Sequence, residues 1–272
     1  MEVLIFDVAH GFCAFVIGDN GNTMLIDAGH NDVTGFYPAN YLLGIRCSGI
    51  ERFFVTNYDE DHISGLRRLR EFQAQIPIGI LHRNKTITLD QLRALKKQGG
   101  PLGPGMSELL NMAEQYNDPV TNPPEYPNLE FQVFHNSYPT FQDTNNLSLV
   151  LFLHYPGLSM VFPGDLEKAG WKELLKQKAF QDNLARVNVF VASHHGRENG
   201  YEESIFNFCN PNIILISDES KKYDTQEVNY SKHSTGISWN TTETRNVLTT
   251  RNDGMIRITK KPEAGFYITT SK

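Results

Sequence analysis

The chain of 272 residues carries a net charge of −6 and 40% hydrophobic residues, which provides for a large core but argues against electrostatic wrapping of duplex nucleic acid. A nuclease is not excluded, because metal ions can neutralise the one phosphate being cleaved. No apolar run approaches the roughly 18 residues of a membrane span and no basic signal-peptide start is present, so we expect a cytoplasmic protein with no membrane partner.

Three short apolar runs open the chain and predict β-strands at residues 1–8, 12–17 and 22–27, followed by a short helix at 37–43. The third run ends at Asp27-Ala28-Gly29. Asp27 is either a simple turn residue or an acceptor that orients a ligand in a neighbouring loop, and both interpretations explain the glycine equally well. In the first turn we interpret His10 as a polar turn residue, with the rim of an active site as the alternative.

The densest group of chemically active side chains lies between a predicted strand at 52–55 and a helix that begins at Gly65. It contains four potential metal ligands within six residues: Asn57, Asp59, Asp61 and His62. In a strand-to-helix loop alternate side chains can converge on one point, which is the arrangement that a metal site needs. Taken alone, such an acidic run is also compatible with a solvated turn.

Residues 83–128 differ in character from the strands on either side. A strand is predicted at 76–82, helices at 89–97 and 107–116, and a proline-rich segment at 118–127 returns the chain to the surface. This pattern predicts either an inserted helical lobe or a plain surface excursion.

The second half returns to strands, predicted at 130–135, 147–153, 158–163, 187–192 and 212–218, with a helix at 168–178 and a final hairpin within 246–258. Asp165 follows the third of these strands, and His194-His195-Gly196 follows the fourth. Paired histidines between a buried strand and a glycine are hard to explain by packing, so we interpret them as part of a site. His233 is a further candidate for proton transfer or phosphate contact, with a surface histidine as the alternative.

The loop at 57–62 resembles the H-x-H-x-D-H signature of the metallo-β-lactamase superfamily, with Asn57 and Asp59 in the places of the first two histidines. Aspartate at the second position is typical of the hydrolase domain of the competence DNA-uptake (ComEC) family, whose motif reads H-x-D-x-D-H. Further segments resemble that family in the same order along the chain: Asp7-Val8-Ala9-His10-Gly11, Leu25-Ile26-Asp27-Ala28-Gly29, Asn145-Asn146-Leu147-Ser148, Phe162-Pro163-Gly164-Asp165, Ser193-His194-His195-Gly196 and 246–258. The resemblance implies an α/β fold, a four-layered αββα sandwich formed by one domain of residues 1–272, with an inserted helical lobe at about 83–128 beside the cleft.

The resemblance also implies two metal sites that share one carboxylate. The first site consists of Asn57, Asp59, Asn146 and the bridging Asp165, and the second of Asp61, His62, Asp165 and one of His194 and His195. We favour His195 as the ligand and His194 as an acid or a phosphate contact. The all-oxygen first site suits Mn²⁺ or Mg²⁺ better than Zn²⁺. The catalytic candidates are Asp59, Asp61, His194 and His233.

We therefore expect a hydrolase that uses one or two divalent metal ions, Mn²⁺ or Zn²⁺, with Mg²⁺ as a further candidate. By resemblance it is a phosphodiesterase or nuclease whose partner is single-stranded or flexible nucleic acid, or another phosphodiester substrate. A protein partner or a homo-oligomer is compatible with the sequence. The alternative is a metal-poor member of the superfamily that acts as a binding module, and Asn57 supports it because an amide is a weaker ligand for Zn²⁺ than imidazole.

Overall fold

The computed structural model describes residues 1–219, 224–239 and 243–272. The strands in these ranges are, in chain order, β1 (Glu2–Ile5), β2 (Ala14–Ile17), β3 (Thr23–Ile26), β4 (Ile50–Phe54), β5 (Ile78–His82), β6 (Glu130–His135), β7 (Leu149–Tyr155), β8 (Leu158–Phe162), β9 (Val189–Val191), β10 (Ile213–Ile216), β11 (Ile237–Trp239), β12 (Glu243–Arg245), β13 (Val247–Thr249), β14 (Ile256–Lys260) and β15 (Phe266–Thr270). The helices are α1 (Pro38–Gly44), α2 (Glu60–Ile63), α3 (Leu66–Glu71), α4 (Leu89–Lys97), α5 (Pro104–Ala113), α6 (Lys168–Leu174), α7 (Lys178–Leu184), α8 (Glu227–Ser231) and α9 (Thr250–Asp253). A short 3₁₀ helix covers Glu203–Asn207, and Ser193–Gly196 form a turn with left-handed backbone at His194 and His195.

Within the described ranges the strands form a seven-stranded sheet, a six-stranded sheet and a two-stranded ribbon of β11 and β12. The first sheet has the order β15-β14-β1-β2-β3-β4-β5, in which β3, β4 and β5 are parallel and the other neighbours antiparallel. The second has the order β13-β10-β9-β8-β7-β6, in which β8, β9, β10 and β13 are parallel and β6, β7 and β8 antiparallel. Each sheet thus combines hairpin-linked strands with parallel strands that need crossover connections.

The two sheets pack face to face because their strands direct alternate apolar side chains to opposite faces. Val3 and Ile5 of β1 lie in the core between the sheets, whereas Leu4 lies in the core outside the first sheet. In the same way Leu151 of β7 lies between the sheets and Phe152 outside the second. Apolar burial on both faces of each sheet is the main favourable contribution to folding.

Helices cover the outer face of each sheet. Side chains of α1 to α5 pack on the first sheet: Leu42, Ile63, Leu66, Leu92 and Leu109. Side chains of α6 to α8 pack on the second: Trp171, Leu174, Phe180, Leu184 and Tyr230. The layers therefore run helix, sheet, sheet, helix, and the predicted αββα sandwich is confirmed.

The helix predicted at 168–178 ends at Leu174 as α6, and a second helix that was not predicted, α7, begins at Lys178. Gln177 is extended and begins the second helix, so that Trp171 and Phe180 both reach the same outer core. In the part of the chain that the structure describes, no helix has the length and apolar character to cross a membrane.

Strands from the beginning and the end of the chain lie side by side in the first sheet. β1 pairs over its whole length with β14, and β14 pairs in turn with β15. Because these early and late segments share one sheet, we keep the proposal that residues 1–272 form one domain.

Residues 83–128 contain α4, α5 and the segment that leads to β6. α5 contacts α2, α3 and α4, and Leu92 and Leu109 join the outer core of the first sheet. α5 begins at Pro104, a little before the predicted start, because proline suits the first turn of a helix. This segment, for which we keep the predicted name inserted lobe, therefore packs against α2 and α3, which follow β4.

Candidate metal centre

Four acidic and histidine side chains meet where strands of both sheets end. Asp61 and His62 lie in α2 after β4, Asp165 follows β8, and His195 follows β9. One ligand atom of each lies within 4.8 Å of those of the others, and only Asp61 is partly exposed. We call this group the carboxylate–histidine cluster.

His62 is held between two carboxylates. Its Nδ1 donates to Asp27 Oδ2 at 2.7 Å, and its Nε2 points to Asp165 Oδ1 at 3.0 Å. Asp27 is itself fixed, because its carboxylate accepts from the Thr56 hydroxyl and, at 2.7 Å, from the Thr56 backbone N–H. A carboxylate behind Nδ1 is the usual partner of a histidine that binds metal through Nε2. Of the two interpretations of Asp27, the geometry favours the orienting acceptor.

His195 is oriented from the opposite side. Its Nδ1 donates to the Ser217 carbonyl at 3.0 Å, which turns Nε2 towards Asp61 Oδ2 at 3.3 Å and Asp165 Oδ1 at 3.5 Å. His194 and His195 both have left-handed backbone, with φ of 50° and 55°. Such strain in consecutive residues concentrates at functional sites. Among the described residues, His195 Nε2 is buried and lacks a well-aligned hydrogen-bond partner.

The cluster concentrates opposite charges in a buried space. Burial alone would lower the pKa of His62, but the Asp165 and Asp27 carboxylates raise it well above its ordinary value. Burial is likewise outweighed at His195, where Asp165 and Asp61 raise the pKa to about 9. The same attraction to the histidines holds the pKa values of Asp61 and Asp165 below their usual range, although burial acts in the other direction.

A divalent cation fits this arrangement. The donors are two imidazole nitrogens and two carboxylates, a set that binds Zn²⁺ and Mn²⁺ in proteins. The buried Nε2 of His195, aimed at two carboxylate oxygens, has the orientation of a ligand. In the protein alone, protons on His62 and His195 supply the positive charge that an ion would replace.

An arginine and two histidines form the rim of the cluster. Arg197 Nη1 donates to His194 Nε2 at 3.1 Å, and its Nη2 donates to His10 Nε2 at 2.5 Å. His10 Nε2 lies 3.2 Å from Asp61 Oδ2, and His194 Nε2 lies 3.9 Å from Asp165 Oδ2. His10 is therefore part of the rim rather than a simple turn residue.

The rim histidines are neutral near pH 7. Burial, together with the positive charge of His195, lowers the pKa of His10 to about 4. Burial also lowers the pKa of His194, and the charges of His195 and Arg197 add to this effect against the attraction of Asp165. Nδ1 of His194 lies 3.6 Å from Glu167 Oε1 and has no hydrogen-bond partner among the described residues.

The oxygen atoms expected to form the first site are engaged in hydrogen bonds within the protein. Asn57 Oδ1 accepts from the Asp59 backbone N–H at 2.7 Å, and Asp59 Oδ1 accepts from Lys96 Nζ at 2.7 Å. Asn146 Oδ1 accepts from the Gly170 backbone N–H at 2.8 Å. The structure thus brings together the residues of the second site, whereas the expected ligand oxygens of Asn57, Asp59 and Asn146 are already hydrogen-bonded within the protein.

His233 contacts other residues than those of the cluster. Its ring stacks on Phe206 with centroids 4.1 Å apart, and the Tyr201 hydroxyl lies 2.7 Å from its Nε2. These contacts give the ring a packing role in the outer layer, and its expected part in proton transfer gains no support from the geometry.

Three charged residues near the predicted ligands were missed by the sequence analysis: Lys96, Glu167 and Arg197. Arg197 directly follows His194-His195-Gly196 and Glu167 lies two residues after Asp165, so closeness in sequence could have indicated both. Lys96 lies in the inserted lobe, and nothing near it in the sequence marks it as part of a site.

Comparison with known proteins identifies a family to which the chain is similar. A model of the metallo-beta-lactamase superfamily matches residues 10–204. ComE operon protein 3 of Bacillus subtilis (strain 168) is 26% identical over 172 residues, which are 62% of this chain. The match covers 20% of that protein, so the chain spans about a fifth of the length of this curated relative.

Two solved structures are similar at low sequence identity. A diphosphatase from the PhnP family shares 11% identity, with 99% of both chains covered and a TM-score of 0.48. A metallo hydrolase from the hyperthermophilic archaeon Ignicoccus hospitalis shares 14% identity, with 96% of this chain and 100% of that chain covered and a TM-score of 0.49. Similarity at such identities concerns the fold alone.

Proposed function

Because this chain belongs to the metallo-β-lactamase superfamily, we propose that it is a metal-dependent phosphodiesterase that acts on single-stranded or flexible nucleic acid. The observation that carries the proposal is the carboxylate–histidine cluster, in which four potential ligands lie within 4.8 Å of one another. Asp61, His62, Asp165 and His195 would hold the ion. An ion bound there would polarise a phosphoryl oxygen and lower the pKa of water, which makes hydrolysis the reaction that we propose.

The rim supports an anionic substrate. The Arg197 guanidinium lies within hydrogen-bond reach of His10 and His194, beside Asp61 and Asp165. Guanidinium binds phosphate oxygens in a bidentate manner. On a chain with a net charge of −6, this local positive charge suits one phosphate group better than a long duplex backbone. The resemblance to the competence family adds support for nucleic acid.

His194 has the position and protonation state of a general base. Its lowered pKa leaves the ring neutral near pH 7, and Nε2 accepts a hydrogen bond from Arg197. When the guanidinium turns to a substrate phosphate, Nε2 becomes able to accept a proton from the attacking water. The imidazolium that forms is stabilised by Asp165 and Glu167, which lie 3.9 Å and 3.6 Å from its two nitrogens.

The proposal is tested by cleavage assays on the Mn²⁺-reconstituted protein with single-stranded DNA, RNA and a small chromogenic diester. We expect cleavage of at least one substrate, reduced about 10²- to 10⁴-fold in His194→Ala because general-base catalysis contributes that much. Asp165→Ala should lower the rate to background because a ligand is lost. Asp182→Ala, an exposed aspartate of α7, is the matched control and should retain full activity.

Equal residual cleavage by the wild type, His194→Ala and Asp165→Ala would mark the activity as contamination. That result would favour the alternative of a metal-poor binding module.

A further inference from the structure

The side chain of Lys96 reaches from the inserted lobe to the loop that precedes α2. Its Nζ donates to Asp59 Oδ1 at 2.7 Å, and the same oxygen accepts from the Thr144 hydroxyl at 2.7 Å. The side chains of Lys96 and Asp59 are 23% and 35% exposed, so the ion pair lies at the border of the solvent. The Lys96 ammonium is therefore paired, through Oδ1, with the one carboxylate that belongs to the first site alone.

Both the oxygen and the nitrogen of the Asn57 side-chain amide form hydrogen bonds within the protein. It is fully buried, its Oδ1 accepts from the Asp59 backbone N–H at 2.7 Å, and its Nδ2 donates to Ser148 Oγ at 3.1 Å and Asn145 Oδ1 at 3.2 Å. Turning this oxygen to an ion would leave the partly buried Asp59 backbone N–H without its acceptor.

The side-chain amide of Asn146 likewise forms hydrogen bonds through both its oxygen and its nitrogen. Its Oδ1 accepts from the Gly170 backbone N–H at 2.8 Å, at the beginning of α6, and its Nδ2 lies 3.2 Å from Asp143 Oδ2. Both amides therefore connect loops to each other instead of presenting free oxygens. The residues of the first site do not fit a metal ion, in contrast to the carboxylate–histidine cluster.

Electrostatic repulsion also disfavours a metal ion at the first site. A second divalent ion at Asp59 would have to displace the Lys96 ammonium or lie beside it, and like charges at a few ångströms repel strongly in a partly buried site. An ammonium offers donors only, so Lys96 cannot become a ligand while it is protonated.

We infer that this protein binds one metal ion per chain, and that Lys96 is a built-in cation that takes the place of the second. The inference rests on the proposed function for the ion in the cluster and adds to it the exclusion of the first site. Lys96 is then a positioning residue, which holds a fixed positive charge on Asp59 beside the ion.

The test is the count of bound ions by native mass spectrometry after reconstitution with Zn²⁺ or Mn²⁺ and removal of free metal. The wild type should bind one ion. Asn57→His alone should also bind one, because Lys96 still holds Asp59. The double variant Asn57→His with Lys96→Ala should bind two, because an imidazole and a freed carboxylate are then available.

Lys97 provides the matched control, since it is exposed on the same helix. Asn57→His with Lys97→Ala should bind one ion. As a second measurement that leaves Asn57 intact, calorimetric titration of Lys96→Ala with Mn²⁺ should show a second binding event that the wild type lacks, because a neighbouring like charge is removed.

Two ions on the wild type or on Asn57→His alone would overturn the inference and leave the proposed function standing. One ion on the double variant, with no second event for Lys96→Ala, would also overturn it, because Lys96 would not be what excludes the ion. No bound ion on the wild type would overturn the proposed function together with the inference.

Discussion

His62 and His195 are the side chains whose protonation should control metal binding. Both point Nε2 into the cluster, and both have raised pKa values because carboxylates flank them, to about 9 for His195. A metal ligand must be neutral imidazole, so the ion competes with these protons. Raising the pH removes the competitor, and the affinity for the ion should therefore rise with pH.

We predict that metal binding near pH 7 releases protons and that the affinity rises about tenfold per pH unit for each proton released, up to about pH 9. Calorimetry in buffers of different ionisation enthalpy measures the number of protons. His135→Ala, which changes a histidine of β6 outside the cluster, should release the same number. An affinity that stays constant between about pH 6 and pH 9 would contradict the protonated state of the cluster.

The inserted lobe is attached to the metal-binding loop through a helix end. α5 begins after Gly103, which offers no side-chain cap, and Glu60 of α2 supplies the acceptors instead. Its Oε1 accepts from the Gly105 backbone N–H at 2.5 Å and its Oε2 from that of Met106 at 3.2 Å. A carboxylate at this position satisfies the free N–H groups of the first turn and complements the helix dipole.

We predict that Glu60→Ala lowers the free energy of unfolding by about 1 kcal/mol, the usual cost of a lost helix cap. Amide hydrogen exchange in α5 should accelerate, and Glu60→Gln, which keeps an oxygen acceptor, should lose less. Urea denaturation provides the measurement. Glu114→Ala, at the opposite end of α5 and 58% exposed, should stay within about 0.5 kcal/mol of the wild type. Equal losses in Glu60→Ala and Glu114→Ala would show that Glu60 does not anchor the helix.

The metal centre joins the two sheets of the sandwich. Asp61 and His62 follow a strand of the first sheet, whereas Asp165 and His195 follow strands of the second. An ion that binds all four is bound only by the folded protein, since unfolding separates the ligands. Binding energy should therefore add to the stability of the whole sandwich.

We predict that free Zn²⁺ or Mn²⁺ at about 100 times its Kd raises the free energy of unfolding by about 2.7 kcal/mol. Scanning calorimetry with the ion and with a chelator should show a higher Tm with the ion. Asp165→Ala should abolish the shift and Asp182→Ala should preserve it. A shift of equal size in Asp165→Ala would place the bound ion elsewhere on the protein.

The sequence by itself determined most of the strands and helices and three residues of the carboxylate–histidine cluster. It did not predict α7, β11, β12 or β15, and the predicted final hairpin within 246–258 is wrong, because β13 and β14 lie in different sheets. Alternating apolar runs predicted the strands, and the β4–α2 loop and the paired histidines predicted Asp61, His62 and His195, because both patterns depend on near neighbours in the chain. The resemblance supplied the sandwich and the part played by Asp165. These features are encoded locally or in the order of motifs.

Only the tertiary structure decided which polar atoms are already engaged. Lys96 meets Asp59 across 37 residues, and Asn57 meets Ser148 across 91. His233, a candidate from its residue type, packs on Phe206 instead. A side chain's residue type states what it can bind, but its partner depends on segments brought together by folding, and a buried amide or carboxylate bonds to whichever donor the packing places beside it.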